Sequence, residues 1–147
     1  FETIRTQYRE HVARVLDLGG HPDPQGAAAT IGALETAIAK LHWPVAQRRD
    51  RERMYNLRTR AELEKLAPAY PWGPMLEAAG VGAQPELVLR EIDAFPALAK
   101  LFRETPVASW RTYLAYHYLR SNASVLPQAF DAEVFAFHGR TLNGQPE

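Results

Sequence analysis

Apolar residues return every three or four positions along most of the chain, with polar residues between them. Ile4, Tyr8, Val12 and Val15 share one helical face, and Arg5, Arg9 and Arg14 stand among the polar positions. Gly19-Gly20 predicts the end of that helix. His21 precedes Pro22 and is steered into extended backbone. Asp23 before Pro24 reads as an N-cap with proline in the first turn. Ile31, Leu34, Ile38 and Leu41 form the next stripe, set among Ala27, Ala28, Ala33, Ala37 and Ala39, which favour helix. Pro44 breaks it, with a short helical continuation from Val45 to about Arg49.

Residues 48–63 read RRDRERMYNLRTRAEL, with five arginines in the first eleven positions. Thr59 and Glu62 have capping-box spacing, so a helix is predicted from Arg60 to about Leu66, and RMYNLR is the joint before it. Asp50 and Glu52 offset much of the arginine charge. A solvated joint is therefore favoured over a basic patch that holds a ligand.

Further along, the prolines of PAYPWGPMLEAAG start short helices and Gly80 ends one. PELVLRE has the apolar, β-branched centre of one short strand, whose partner is expected outside this segment, since a lone strand cannot satisfy its edges. Asp93 is a candidate cap for a helix carrying Phe95, Leu98, Leu101 and Phe102. Thr105-Pro106 repeats the pattern of cap plus proline. The helix after it carries Trp110, Tyr113, Leu114, Tyr116, Tyr118 and Leu119 on several faces, and is expected to be central to a core. Pro127 restarts the chain before a last helix with Phe130, Val134, Phe135 and Phe137, and GRTLNGQPE reads as a loop. The fold class expected is all-α, mostly helical with at most one short strand, in a single domain over 1–147.

Composition narrows the function. Lys plus Arg and Asp plus Glu each number 17, and this zero formal charge lacks the basic excess of nucleic-acid-binding proteins. No apolar run approaches the ~18 residues of a membrane span. Cysteine is absent, which removes disulfides, thiolate metal sites and cysteine nucleophiles together. Phe1 opens no signal-peptide pattern, and a helical pattern is already running there, as expected of a piece of a longer protein.

The chemistry that remains is sparse. His11, His21, His42, His117 and His138 have no histidine three or four positions away, so a local H-E-x-x-H zinc motif is missing. Neither G-x-S-x-G, nor a P-loop, nor G-x-G-x-x-G is present. Ser109, Ser121 and Ser124 lack catalytic context. Glu35 and Asp131 could each act as acid or base, but spacing singles out no pair, and Glu35 is expected in a structural ion pair or hydrogen bond. The aromatic residues from Trp110 to Tyr118 are read as core rather than as a ligand groove. Asn122-Ala123-Ser124 matches the N-glycosylation pattern, though late in a predicted helix.

The order of the segments says more than any one of them. YREHVARVLDLGGHP leads to ALETAIAKLHW, then RRDRERMYNLRTRAELEKLAPAYPW, ETPVASWRTYLAYHYLRSNASVLPQAF and FAFHGRTLNGQPE. This series resembles the neprilysin family of zinc endopeptidases, in particular its bacterial oligopeptidases, over nearly the whole chain. The resemblance implies a helical piece of the N-terminal half of a two-lobed enzyme, part of the lobe that caps the cavity and limits substrates to small peptides. It places the zinc ligands and the general base in the other half, so no catalytic, cofactor-binding or metal residue is carried onto any position here. The family's Asn-Ala-aromatic substrate motif has no equivalent, because Ser124 follows Asn122-Ala123.

By the same resemblance the parent is a zinc-dependent metallopeptidase acting on oligopeptides. It is extracytoplasmic: periplasmic, secreted or lipid-anchored. The partner of this segment is the catalytic lobe of its own chain. Tyr55 and Asn56 become the structural centre of the joint, with Asn56 bonded to the backbone of the turn. The isolated segment is expected to bind no zinc, to be inactive, and to self-associate or fray at its C-terminal tail, because the 110–119 helix, the ELVLR strand and the 135–142 tail expose apolar surface. The alternative reading is a free-standing helical module that binds peptides or proteins.

Overall fold

The computed structural model describes residues 1–146. Its helices are α1 (Glu2–Leu18), α2 (Pro24–Leu41), α3 (Arg60–Leu66), α4 (Trp72–Ala78), α5 (Ala94–Glu104), α6 (Val107–Ser121) and α7 (Gln128–Val134). A π-helix, Phe135–Leu142, continues α7, and short 3-10 turns occupy Gln47–Arg49 and Ala123–Val125. Two strands, β1 (Asn56–Thr59) and β2 (Glu86–Leu89), complete the described elements. With 66% of residues helical, the class is all-α.

Several element ends follow from local chemistry. At the end of α1, Gly20 adopts φ 75°, while the N–H groups of Gly20 and His21 bond Asp17 O and Leu16 O. That is a left-handed cap, in which a Cβ would be strained. Asp23 Oδ1 accepts the Gly26 N–H at 3.0 Å and opens α2 as the sequence predicts. Thr59 and Glu62 form the reciprocal capping box of α3.

Other ends differ from expectation. Asp93 occupies the N-cap position of α5 in a helical conformation and makes no capping bond with its side chain. The Thr105 hydroxyl donates to Leu101 O at 2.7 Å, so it closes α5 rather than opening α6. The stretch from Gly139 is not a loop. Residues up to Leu142 stay helical, and at the buried Gly139 an added Cβ would come within 2.6 Å of the Phe135 ring.

The chain forms two compact units. One combines Phe1–Glu35 with the stretch from Pro106 onward, the other is Thr36–Thr105, and α2 begins in the first and ends in the second. In the first, Val12, Val15, Leu16, Ala27, Ala28, Ile31, Tyr116 and Phe130 make the core, with α1 packed against α6 and α7. Of α6, Tyr116 is buried, whereas Val107, Leu114 and Tyr118 are exposed. This helix therefore lies at the side of its core and not at its centre.

In the second unit, Leu63, Ala67, Trp72, Leu89 and Ala99 are buried together, and Phe95 stacks on Trp72 at 5.2 Å. Ile31 belongs to the first of these cores, and Phe95 packs against the second. The β2 partner expected outside the segment lies within it. β1 and β2 pair antiparallel, with Asn56 opposite Leu89 and Thr59 opposite Glu86.

The arginine-rich stretch is the approach to this hairpin-like pair. Asp50 Oδ1 accepts the Arg53 N–H at 3.1 Å, and the Arg53 guanidinium lies 4.4 Å over the Trp43 ring. The Asn56 side-chain amide donates to Arg53 O at 2.8 Å and to Leu89 O at 3.0 Å. It ties the turn to β2, as the sequence anticipates for Asn56. Tyr55, expected beside it at the centre, is exposed.

Two substitutions separate these neighbours. Asn56→Ala strands two carbonyls and lowers the unfolding free energy by about 1–3 kcal/mol. Tyr55→Ala stays within about 0.5 kcal/mol of the natural chain. Urea unfolding followed by tryptophan fluorescence checks both, and the reverse order would show that the ring and not the amide holds the joint.

Candidate functional site

The first unit contains a polar cluster inside its core. His11 on α1 is fully buried, and its Nδ1 lies 2.9 Å from Glu133 Oε1 of α7. Arg14, one turn along α1, donates from Nε to the other Glu133 oxygen at 2.8 Å. The Tyr8 hydroxyl donates to Glu35 Oε1 of α2 at 2.8 Å, and His117 Nε2 of α6 lies 3.3 Å from the same oxygen, off the hydrogen-bonding direction. Glu35 is thus the structural partner that the sequence suggests. The His11 ring stacks on Phe137 at 4.8 Å and meets His138 edge-on at 5.3 Å, both from the π-helix. Arg120 Nε donates to His138 Nε2 at 3.0 Å.

Protonation follows from these partners. Burial pushes the His11 imidazole below its ordinary pKa, with Arg14 and Arg120 acting in the same direction and Glu133 opposing them. Burial lowers His138 as well, helped by Arg120 and His11. Both rings are neutral near pH 7. His11 then donates its Nδ1 proton to Glu133, and its buried Nε2 has no hydrogen-bond partner. Burial raises Tyr8 and Tyr116, so both stay phenols.

A carboxylate orienting an imidazole is the arrangement of a general base. Here it cannot act as one. The ring is fully buried, stacked on Phe137 and edge-on to Tyr116, so no substrate atom reaches Nε2. Nor does the donor set suit zinc. Among the described residues no three His, Asp or Glu side chains converge as ligands. His138 Nε2 accepts from the Arg120 guanidinium, whose charge repels a cation. Ser121, Ser124 and Asp131 are exposed and lie outside this cluster. The amide of Asn122 donates to Tyr118 O at 2.8 Å, which engages the nitrogen that glycosylation would need.

The second unit holds a cavity of about 380 Å³, walled by Leu63, Trp72, Leu76, Leu87, Leu89 and Phe95. At its edge, Glu91 accepts the Trp43 N–H at 2.6 Å and lies 3.2 Å from His42 Nδ1. Burial pushes the Glu91 carboxyl up, but the Trp43 N–H and His42 outweigh it and hold it below the usual range. The cavity walls are mainly apolar and can take an apolar group, with His42, Arg90 and Glu91 as its ionisable lining.

His11 and His138 make stability depend on pH. Unfolded histidine titrates near about 6.5, and the native rings titrate lower. Below that value the unfolded chain binds more protons, so stability falls as pH drops. Urea unfolding at about pH 7.5 and about pH 5.5 should show this loss, and a smaller one in His138→Gln, which keeps an acceptor for Arg120 and cannot titrate. Equal stability of the natural chain at both pH values would contradict the assignment of neutral rings.

Comparison with known proteins places this geometry. The chain is 27% identical over 136 residues to endothelin-converting enzyme 1 of Rattus norvegicus, covering 88% of the chain and 18% of that enzyme. It is 26% identical to neprilysin-2 of Drosophila melanogaster, covering 99% of the chain and 20% of that protein. Zinc metalloprotease Zmp1 of Mycobacterium tuberculosis shares the fold. Its inhibitor complex matches with a TM-score of 0.92 at 34% identity, and its open state with 0.89 at 36%. Each match covers 99% of this chain and 23% of the Zmp1 chain, so the chain spans about a fifth of its relatives' length. The model of the N-terminal region of peptidase family M13 matches residues 1–147 throughout, and the chain belongs to that family, the neprilysin family, as the order of its sequence segments suggested.

Proposed function

We propose that this chain is a non-catalytic part of a zinc-dependent metalloendopeptidase that hydrolyses oligopeptides. Its role on this reading is to cap the substrate cavity and admit only small peptides. The match of one family model to the whole chain carries the proposal. The likeness to Zmp1, a zinc metalloprotease, supports it, at higher identity than to the animal relatives. That difference favours a bacterial parent, and the family favours an extracytoplasmic one. No helix among the described residues is long and apolar enough to cross a membrane.

The chain's own residues fit a supporting role. His11, His42 and His138 are engaged by Glu133, Glu91 and Arg120, His21 Nδ1 accepts the Asp23 N–H, and His117 lies beside Glu35. Zinc and the glutamate base that activates water on it belong to the rest of the parent. All 147 residues act here as part of one capping lobe, with no catalytic or metal-binding residue among them. The cavity of the second unit favours one other reading, a free-standing module that binds apolar peptide groups.

The two readings part in a direct assay. The parent should carry an H-E-x-x-H motif downstream, cleave short peptides much faster than folded proteins, lose activity to a chelator and regain it with zinc. The 147-residue chain should do none of this and take up no stoichiometric zinc. A parent without the motif, or one that is inactive on peptides, would favour the binding module. A parent that cleaves large folded proteins as fast as short peptides would contradict the cap.

A further inference from the structure

The exposed side of α6 is apolar where a surface helix is usually charged. Val107, Leu114 and Tyr118 are 70%, 62% and 68% exposed. Arg111 completes the 4-3-4 spacing from 107 to 118, and Ala108 and Ala115 flank the row. Val125, seven residues past Tyr118, is exposed as well. The opposite side of α6 faces α1 and α7 through Tyr116, so the row is a second, separate face. Spacing of 3 and 4 with small residues alongside is the seam of a helix–helix contact, which crosses at about 20° when such ridges interlock.

We propose that this seam docks an amphipathic helix from the remainder of the parent polypeptide. That helix presents an apolar row to Val107, Leu114 and Tyr118 and an acidic side chain to Arg111. The inference rests on the reading above, that this chain is part of a larger peptidase. Two observations favour that occupant over a second copy of the chain. The chain spans only 18–23% of the relatives' length, which leaves most of the polypeptide to cover the face. And a parallel pair of α6 seams would bring two Arg111 side chains together, while an antiparallel pair would set each Arg111 guanidinium against Leu114 of the other copy, so two copies give the guanidinium no acidic partner in either arrangement.

The chain has no cysteine, so one introduced thiol reports on the seam. Leu114→Cys and, as a milder second variant, Ala115→Cys are placed in the 147-residue chain and in the parent. Circular dichroism checks helicity, and maleimide labelling is read by peptide mass mapping. Docking predicts labelling about tenfold or more slower in the parent than in the isolated chain. Equal rates in both would overturn the proposal. Slow labelling of the isolated chain that speeds up on dilution would overturn it in favour of a second copy. Peptide hydrolysis by the same parent sample separates the two claims. Activity with fast labelling refutes the seam alone, and slow labelling without activity refutes the function alone.

Discussion

The first unit depends on the carboxylate of Glu133. It receives His11 and Arg14, which lie 122 and 119 residues away in sequence, and through them fastens α7 to α1. The bonds join the two stretches from which the unit is built, with the whole second unit between them in sequence. Closing so long a loop is tolerable because its entropy grows only with the logarithm of length. The closure must still be specific, and a largely buried carboxylate accepting two charge-directed bonds supplies that. Without Glu133 the fully buried His11 ring loses the acceptor of its Nδ1 proton, which costs more than the bond contributes in water, whereas the half-exposed Arg14 can turn to solvent. The remainder of the cluster follows from this placement. Phe137 covers His11, His138 is drawn to Arg120, and the chain beyond α7 widens into a π-helix, a geometry that one buried glycine permits.

Much of the fold was legible because its signals are local. The stop at Gly20, the cap at Asp23 and the box of Thr59 with Glu62 depend on residues within one turn of each other, and each appears where the pattern placed it. What the pattern missed depends on tertiary contact. β1 was hidden inside an arginine-rich stretch because Leu57 is its one large aliphatic residue and its pairing is made with β2, some 30 residues on. The apolar surface of α6 was read as a central core helix, yet only Tyr116 of that helix is buried. Periodicity counts apolar faces and cannot tell a buried face from an exposed one. Thr105 and Asp93 show a similar limit, since each has a capping side chain in a position where another bond, or none, is made.

The polar cluster was not legible at all. Tyr8, His11 and Arg14 carry no motif, and Glu133 lies far off on another helix. A helical reading of the first 18 residues does put all three near one side of α1, and that is the only signal the sequence held. The family, by contrast, was legible from the order of five segments, none of which is diagnostic alone. The order survives because it reflects a shared scaffold. The chemistry was unreadable for a simpler reason: this scaffold's ionisable groups are spent on one another, in Glu133 with His11, Glu35 with Tyr8 and Glu91 with His42.

The account's central claim is that the Glu133 carboxylate, rather than general apolar packing, fastens α1 into its unit. Amide hydrogen exchange in Glu133→Gln tests it most directly, since the substitution keeps size and shape while removing the charge. The account predicts that the amides around His11 to Leu16 exchange about tenfold or more faster than in the natural chain, because an amide accepts from Arg14 and His11 far more weakly. Unchanged protection of those amides would contradict it, and would leave Val12, Val15, Leu16 and Ile31 as the packing that holds the unit closed.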